Sequence, residues 1–425
     1  MTGADASSQT TTVGDGLPEA GSPEAARIFW RYWGALTTSN LGTAVTGVAL
    51  PLTAVLVLDA TPFEMGLLAA AAYVAWLVIG LPAGALVQRY PLRRVQVAMD
   101  LLRAAAVLSL PLAWWSDRLT LVHLLGVALV ISFADVVFSV ANMTFLPRVV
   151  PKDELQSRNS LVSGTYAVTQ MGGPSIGGVA VQLLGAVPTF LVDTVSYLVS
   201  AVLLGRLPDV HEPSTDTTPI RDRIREGWHF VSRHPVMGPC MWDATATNFV
   251  CGGQMALFAI YLVRELDAPA GLVGFLLAAE GIGSLVGATL VPRLSRRFGS
   301  ARLALVGGFV SVVGAFLIPV GSGAVGWFAF ALGNVVFAGG VVLLSTTTRT
   351  YRQLATPPEL LSRVMATVRF VSWGAIPVGG LVFGALGGWI GLREGLVVLA
   401  VLSLASPAIL LASPVRHLRD FPEEP

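Results

Sequence analysis

Apolar residues in this chain fall into long runs separated by short polar breaks. Twelve runs can be read, over approximately 30–58, 63–88, 94–115, 121–147, 155–184, 187–205, 236–263, 269–292, 301–320, 324–350, 359–388 and 392–412. A helix that crosses a bilayer needs about 20 mostly apolar residues. The pattern therefore predicts an all-α integral membrane protein with 12 transmembrane helices. One break is long. Its first part, LPDVHEPSTDTTP, reads as a linker, and its second, RDRIREGWHFVSRH, places Ile224, Trp228 and Val231 on one helical face. That spacing predicts a short amphipathic helix lying on the membrane surface. The expected organisation is a disordered tail over 1–26, a six-helix bundle over 27–205, a linker with the amphipathic helix over 206–234, a second bundle over 235–412 and a tail over 413–425.

The two bundles are expected because the chain repeats itself at a spacing of about 204 residues. GLPAG at 80–84, followed by Arg89, Arg93 and Arg94, is matched by GSLVG at 283–287, followed by Arg293, Arg296 and Arg297. DELQSRN (153–159) and GGPSIGG (172–178) are echoed by PELLSRV (358–364) and AIPVGG (375–380). Landmarks in the same order in both halves predict a parallel repeat, the architecture of two-bundle transporters.

Composition agrees with this reading. Hydrophobic residues make up 54% and charged residues 12%, about half the charge of a soluble domain, and the mean hydropathy is +0.69. The net charge of +1 says little, but its distribution says more. With the amino terminus inside, nearly all arginines fall on the cytoplasmic side, and the opposite loops hold only Arg118, Arg264 and Arg393. Both termini are then expected in the cytoplasm, with the protein in the cell membrane. Residues 1–26 lack the basic-then-apolar order of a signal peptide.

Several chemistries lack their residues. A phosphate-binding GxxxxGK[ST] loop needs a lysine, and the only one, Lys152, precedes Asp153. The histidines, His123, His211, His229, His234 and His417, form no HExxH. GPSIG at 173–177 has the form of a hydrolase nucleophile elbow, which requires a strand-to-helix turn. Here it lies in an apolar span, so Ser175 is not expected to be a nucleophile. Cys240 and Cys251 are roughly 16 Å apart along one helix and cannot pair. No metal, nucleotide, nucleic acid or cofactor is expected. The expected partners are a small-molecule substrate and the bilayer, with the protein a monomer.

Polar residues inside spans are costly, so their alignment points to a wet face. Ser39, Thr43, Thr46 and Thr53 line one side of the first span, and Ser132, Asp135, Ser139 and Asn142 one side of the fourth. The seventh carries Asp243, Thr247 and Gln254, and the tenth Asn334, Ser345 and Thr348. Four such stripes meeting between two bundles would enclose a central cavity; the competing reading is that these hydroxyls bond carbonyls of their own helices. Tyr73, Trp76, Phe258 and Trp373 are candidate aromatic walls, and Arg369 a candidate lining residue. Each charge in hydrocarbon costs about 2.5–3.5 kcal/mol on insertion scales. Asp100 and Arg103, three apart, are expected to pair, and Asp193 to be structural. Asp135 and Glu280 have no opposite charge one turn away and are the proton-coupling candidates, with Asp243 third. Small residues one turn apart, as at Gly80/Gly84 and Gly283/Gly287, let helices approach closely, and Gly173, Pro174, Gly177 and Gly178 add a proline-bent helix with a bare face.

With these landmarks the chain resembles the major facilitator superfamily over 27–412, and within it the enterobactin-exporter and macrolide-efflux branch. GALVQRYPLRR (84–94) is similar to the family's loop between helices two and three, with Gln88 where an aspartate is usual. GPSIGG (173–178) keeps the core of the fifth-helix motif associated with antiporters, with Thr169 in place of a further glycine. LGTAV (41–45) lacks the acidic residue that many relatives carry after the glycine. FLVDTVSYLVSA (190–201), EGWHFVSRHP (226–235) and RQLATPPELLSRVMATVRFVSWGAIPVGG (352–380) also look like this branch. The resemblance implies a rocker-switch transporter that exports a small amphipathic organic molecule, such as a drug, a macrolide-like compound or a siderophore. Inward proton flow would drive it. Gly84, Arg89, Arg93, Arg94, Asp100, Arg103, Gly173, Pro174, Gly177, Gly178, Gly287, Arg293 and Pro377 would form the packing and switching elements. Uptake, lipid flipping, a transport-inactive sensor and a membrane-embedded enzyme are the alternative readings.

Overall fold

Polar caps and left-handed turns set where the helices start and stop. In the computed structural model, which describes residues 22–80, 89–150, 154–209 and 220–422 together with Ala83 and Val87, the chain forms α1 (Pro23–Leu56), α2 (Pro62–Ile79), α3 (Leu92–Trp115), α4 (Leu121–Val149), α5 (Leu155–Leu184), α6 (Phe190–Gly205), α7 (Ile220–Arg233), α8 (Met237–Arg264), α9 (Ala270–Phe298), α10 (Ser300–Leu317), α11 (Gly323–Ala355), α12 (Pro358–Ile390), α13 (Leu392–Ser403) and α14 (Ala405–Leu411). The Thr61 hydroxyl accepts from Glu64 N–H while the Glu64 carboxylate accepts from Thr61 N–H, a reciprocal cap that starts α2. Ser22 and Thr120 cap α1 and α4 in the simpler way. At the start of α8, His234 Nδ1 accepts from the N–H groups of Val236 and Met237, each at 3.2 Å. Burial lowers the His234 pKa, in the direction that favours the neutral ring such an acceptor needs.

Helix pairs α1–α2 and α8–α9 turn in the same way. Asp59 and Asp267 both have φ near +48°, at 48° and 47°, a region an aspartate tolerates better than most residues. In both turns the N–H four residues beyond the helix end reaches back, Ala60 to Ala54 at 2.8 Å and Ala268 to Leu262 at 2.9 Å. Each turn reads Leu-Asp-Ala, at 58–60 and 266–268. The duplication thus extends to its turns.

Ten spans among the described residues are long and apolar enough to cross a membrane, with α13 and α14 counted as one. The more polar α5 and the 16-residue α6 bring the set to the expected twelve. The last span is broken at Leu404, where Ser406 and Pro407 follow. The amphipathic segment is helical, but its protein-facing residues are Gly227 and Val231, while Trp228 is exposed. A Cβ at Gly227 would meet the Thr367 hydroxyl and the Arg363 carbonyl, and Arg363 bonds Glu226, so α7 lies against α12. The side chain of Ile224 and the residues Gly84 and Gln88 lie outside the described set.

Apolar packing divides the molecule along its long axis. Both described termini, α7 and the arginine-rich loops lie at one end, called here the terminal end; the short turns at Asp59, Asp117, Gly185, Asp267 and Gly391 lie at the other. At the opposite end one apolar core is shared by the two halves, with Val48, Leu52, Leu68 and Val187 from the first and Leu257, Tyr261, Val273 and Leu396 from the second. At the terminal end the cores are separate. Phe29, Tyr32, Phe145 and Leu204 belong to one, and Met237, Met241, Tyr351 and Val364 to the other.

The halves cross mainly at two helix pairs, α5 with α9 and α2 with α12. Glycines bring both pairs together. A Cβ at Gly178 would lie 2.6 Å from Gly274 Cα, and one at Gly384 would lie 2.8 Å from Gly66 Cα. The neighbouring glycines do a second job: Gly177 lies against Val45 and Val48 of α1, and Gly379 against the Phe249 backbone of α8. In each half, therefore, the Gly-Gly step after the proline lets one helix touch its own bundle and the other bundle at once. Gly287 instead packs on Gly339 of α11, inside the second half.

This packing makes a paired prediction. Gly178→Ala forces backbone apart at the crossing and should cost about 1–3 kcal/mol. Gly172→Ala, with no neighbouring heavy atom within 4 Å, should not lower stability. Thermal unfolding of the purified variants in detergent, followed by tryptophan fluorescence, reads the difference.

Candidate functional site

Mid-span charges sort into those that are satisfied inside a bundle and those that face the cleft where the two terminal-end cores separate. Arg103 of α3 is buried and binds two carboxylates, Asp100 on its own helix and Asp135 Oδ1 of α4 at 2.5 Å. Its guanidinium also lies 4.3 Å from the Phe138 ring centre and 4.5 Å from that of Tyr197. Asp193 of α6 accepts from Thr46 at 2.5 Å and from Ser196 at 2.9 Å, and Tyr197 contacts the Thr43 hydroxyl at 3.0 Å. A polar seam thus links α1, α3, α4 and α6 within the first half. In the second half Asp243 accepts from Ser406 of α14 at 2.5 Å.

These placements correct several expectations. Asp135 is not without a counter-charge, because Arg103 reaches it across from α3, a neighbour that one-turn spacing could not reveal. Its side chain is still 34% exposed, whereas Arg103 is 3% exposed. Asp243 is buried against α14 rather than facing the cleft. Ser39 and Thr46 are buried, Ser132 donates to the Ala72 carbonyl of α2, and Asn334 donates to the Leu276 and Leu277 carbonyls of α9. Gln254 is buried as well. These residues line helix–helix contacts, not a cavity, since polar groups join helices as readily as they meet water. Ser139 bonds the Val136 carbonyl of its own helix, and Asn142 accepts from Tyr32. Thr43, Ser139, Asn142, Thr247 and Ser345 are half-buried. Phe258 meets Phe330 edge to face at 4.8 Å in the shared core and is no cleft wall.

The switch arginines stay within their own half. Arg93 donates to the Leu207 carbonyl at 2.9 Å and to Asp209 at 3.0 Å, and Arg94 lies 3.4 Å from Asp209. Arg89 and Arg293 are exposed at the terminal end. At the opposite end the halves are pinned by polar contacts instead: Arg264 pairs with Asp59 at 2.5 Å, and Gln182 accepts from Gly271 N–H at 3.1 Å. The cleft is therefore closed at the opposite end.

At mid-height two aromatic groups meet across the cleft. Trp76 of α2 stacks edge-on against Trp373 of α12 at 5.1 Å, and Tyr73 approaches the same ring at 6.3 Å. Arg369 packs against both indoles, its guanidinium carbon 3.9 Å from the centre of the Trp76 ring and 4.2 Å from that of Trp373. The Tyr73 hydroxyl in turn feels the charges of Glu280 on α9 and Asp135 on α4, with Tyr166 and Cys251 also near. Glu280 is exposed and has no hydrogen-bond or ion-pair partner among the described residues. Tyr166 and Cys251 carried no polar-stripe signal and are found only through the packing. No cluster of three metal-ligating side chains occurs among the described residues, and both cysteines are free.

Two helical halves joined at one end, with a polar and aromatic cleft between them, define a membrane transporter of the major facilitator type. Residues 19–424 match the family model described as transmembrane secretion effector, and the chain belongs to that family. It is similar to the multidrug efflux pump Tap of Mycolicibacterium fortuitum, with 28% identity over 393 residues that cover 89% of this chain and 92% of that one. It is also similar to the uncharacterized MFS-type transporter YfiS of Bacillus subtilis, with 26% identity over 376 residues, 85% of this chain and 87% of that one. Among solved structures, the nucleoside transporter NupG superposes with a TM-score of 0.71 at 10% identity, covering 92% of this chain and 99% of its own. A bacterial homologue of the iron transporter ferroportin, in an inward-facing state, gives 0.71 at 15% identity, covering 91% and 98%. These structures share the fold.

The Arg103 centre is testable by stability. Arg103→Met leaves Asp100 buried without its partner and should cost about 3–5 kcal/mol. Adding Asp100→Asn should recover much of that loss, and Asp135→Asn alone should cost less because its carboxylate is part-exposed. Thermal unfolding midpoints of the variants measure this order.

Proposed function

We propose that the protein is a secondary active exporter that moves a small amphipathic organic molecule out of the cytoplasm in exchange for protons. Glu280 carries the reading. A carboxylate on the cleft wall with no counter-charge among the described residues can take up and release a proton as its surroundings change. Asp135, tied to Arg103, plays a secondary part by passing a change of charge into the first-half seam.

Sidedness follows from the arginines. The terminal end carries nearly all of them, so it faces the cytoplasm of the cell membrane, and the cleft is open to that side. Cargo enters there between surfaces mixing indole, phenol and a few polar groups, which suits a molecule that is part apolar and part polar. Relatives named as multidrug efflux pumps support the outward direction. The protein works as a monomer, without a bound cofactor, on the energy of the proton gradient.

Everted vesicles or proteoliposomes with an acid lumen test the reading. Dyes, macrolides and siderophores offered outside should include a compound that accumulates only while the gradient holds. Glu280→Gln should reduce that gradient-driven accumulation about tenfold or more, a loss in the range of one general acid–base group. Asp135→Asn should give a smaller loss. Accumulation indifferent to the gradient contradicts proton coupling, and gradient-driven loss of cargo from the lumen contradicts export.

A further inference from the structure

Arg369 is a mid-span cation whose counter-charge is missing. Its guanidinium lies against two indoles that meet each other edge to face, Trp76 from the first half and Trp373 from the second. Its buried Nε has no hydrogen-bond partner, and no carboxylate lies within ion-pairing distance of it among the described residues. Arg103 is different, since it binds two carboxylates. Arg349, exposed on α11, is a charge that Arg369 feels, and it too is positive. A guanidinium packed against rings on one side still presents its N–H edge, and that edge is the one that carboxylates and phosphates recognise in two-point fashion.

The opposite charge in the same cleft is Glu280. Tyr73 connects the two, because its ring approaches Trp373 of the Arg369 stack and its hydroxyl lies within reach of the Glu280 charge. The second half thus offers an unpaired cation beside aromatic rings on α12 and an unpaired carboxylate on α9. We propose that the cargo is a planar amphoteric compound, its acidic group received by the Arg369 edge and its basic group by Glu280. This inference deepens the export reading and rests on it. The two contacts have separate duties. A basic group at Glu280 excludes the proton from that carboxylate, as exchange requires, while the acidic group at Arg369 adds affinity without competing for the proton.

Three naphthalene probes of one shape test the assignment: aminomethyl-naphthoate, which carries both charges, naphthoate, and naphthylmethylammonium. Equilibrium dialysis against protein in lipid nanodiscs, with empty nanodiscs as the blank, gives their affinities without any gradient. The doubly charged probe should bind wild-type protein about tenfold more tightly than naphthylmethylammonium. Arg369→Gln should weaken aminomethyl-naphthoate and naphthoate by about tenfold and leave naphthylmethylammonium within about twofold. Arg369→Lys should weaken them less, and Glu280→Gln should instead weaken the two probes that carry the ammonium.

Equal binding of the doubly charged and ammonium probes by wild-type protein overturns the proposal, and that comparison needs no variant to fold. An Arg369→Gln protein that keeps its affinity for aminomethyl-naphthoate overturns it as well. Because binding is read without transport, intact probe selectivity with no gradient-driven export would overturn the export reading alone. Gradient-driven export with no selectivity would overturn only this assignment.

Discussion

The structure depends on one shared apolar core at one end of a molecule that is otherwise two. The halves can come close enough to share it because glycine replaces side chains at both crossings, Gly178 on Gly274 and Gly66 on Gly380 and Gly384. With larger residues there, the helices would stand further apart and the core would open. The separation of the other two cores then follows. Each bundle completes its own apolar core at the terminal end, so no core is shared between the halves there among the described residues. A cleft open at one end and sealed at the other is the geometry that alternating access starts from.

Charge is arranged around the same division. Asp100, Arg103, Asp135, Asp193 and Asp243 each bond a partner in their own bundle, by ion pairs or hydroxyls. Such groups move as part of a rigid half, and they limit how each half can deform. Glu280 and Arg369 are different, because each faces the space between halves and each lacks an opposite charge among the described residues. Cost in a membrane is a reason for such groups to be rare. Here the two occur where the wall is lined by Tyr73, Trp76 and Trp373.

The fold was legible in the sequence because bilayer thickness imposes one length on every span and because the duplication repeats its landmarks. The twelve runs fall on the observed helices, with the last one broken at Leu404. The Leu-Asp-Ala turns were missed, since three common residues carry no signal until their left-handed geometry is seen. The cleft was less legible. Helical spacing shows that Ser132, Thr46 and Asn334 share faces with their neighbours, but not which helix those faces meet. In each case the face meets another helix of the same bundle. Asp135 was misread for the same reason, because its partner Arg103 is 32 residues away on α3. The aromatic pair Trp76 and Trp373 and the residue Arg369 were named, but their stack joins positions almost 300 residues apart, beyond any local pattern.

The central claim is that the two halves pivot about the glycine crossings as rigid bodies. Distances between spin labels test it most directly, with Cys240 and Cys251 replaced. One pair would sit at Asp59 and Asp267, exposed at the opposite end, and a second at Arg94 and Arg297, exposed at the terminal end. On a shift of pH or addition of a transported compound, the first distance should lengthen as the second shortens, while distances within each half stay fixed. Both distances changing in the same sense, or changes confined to a single half, would contradict the account.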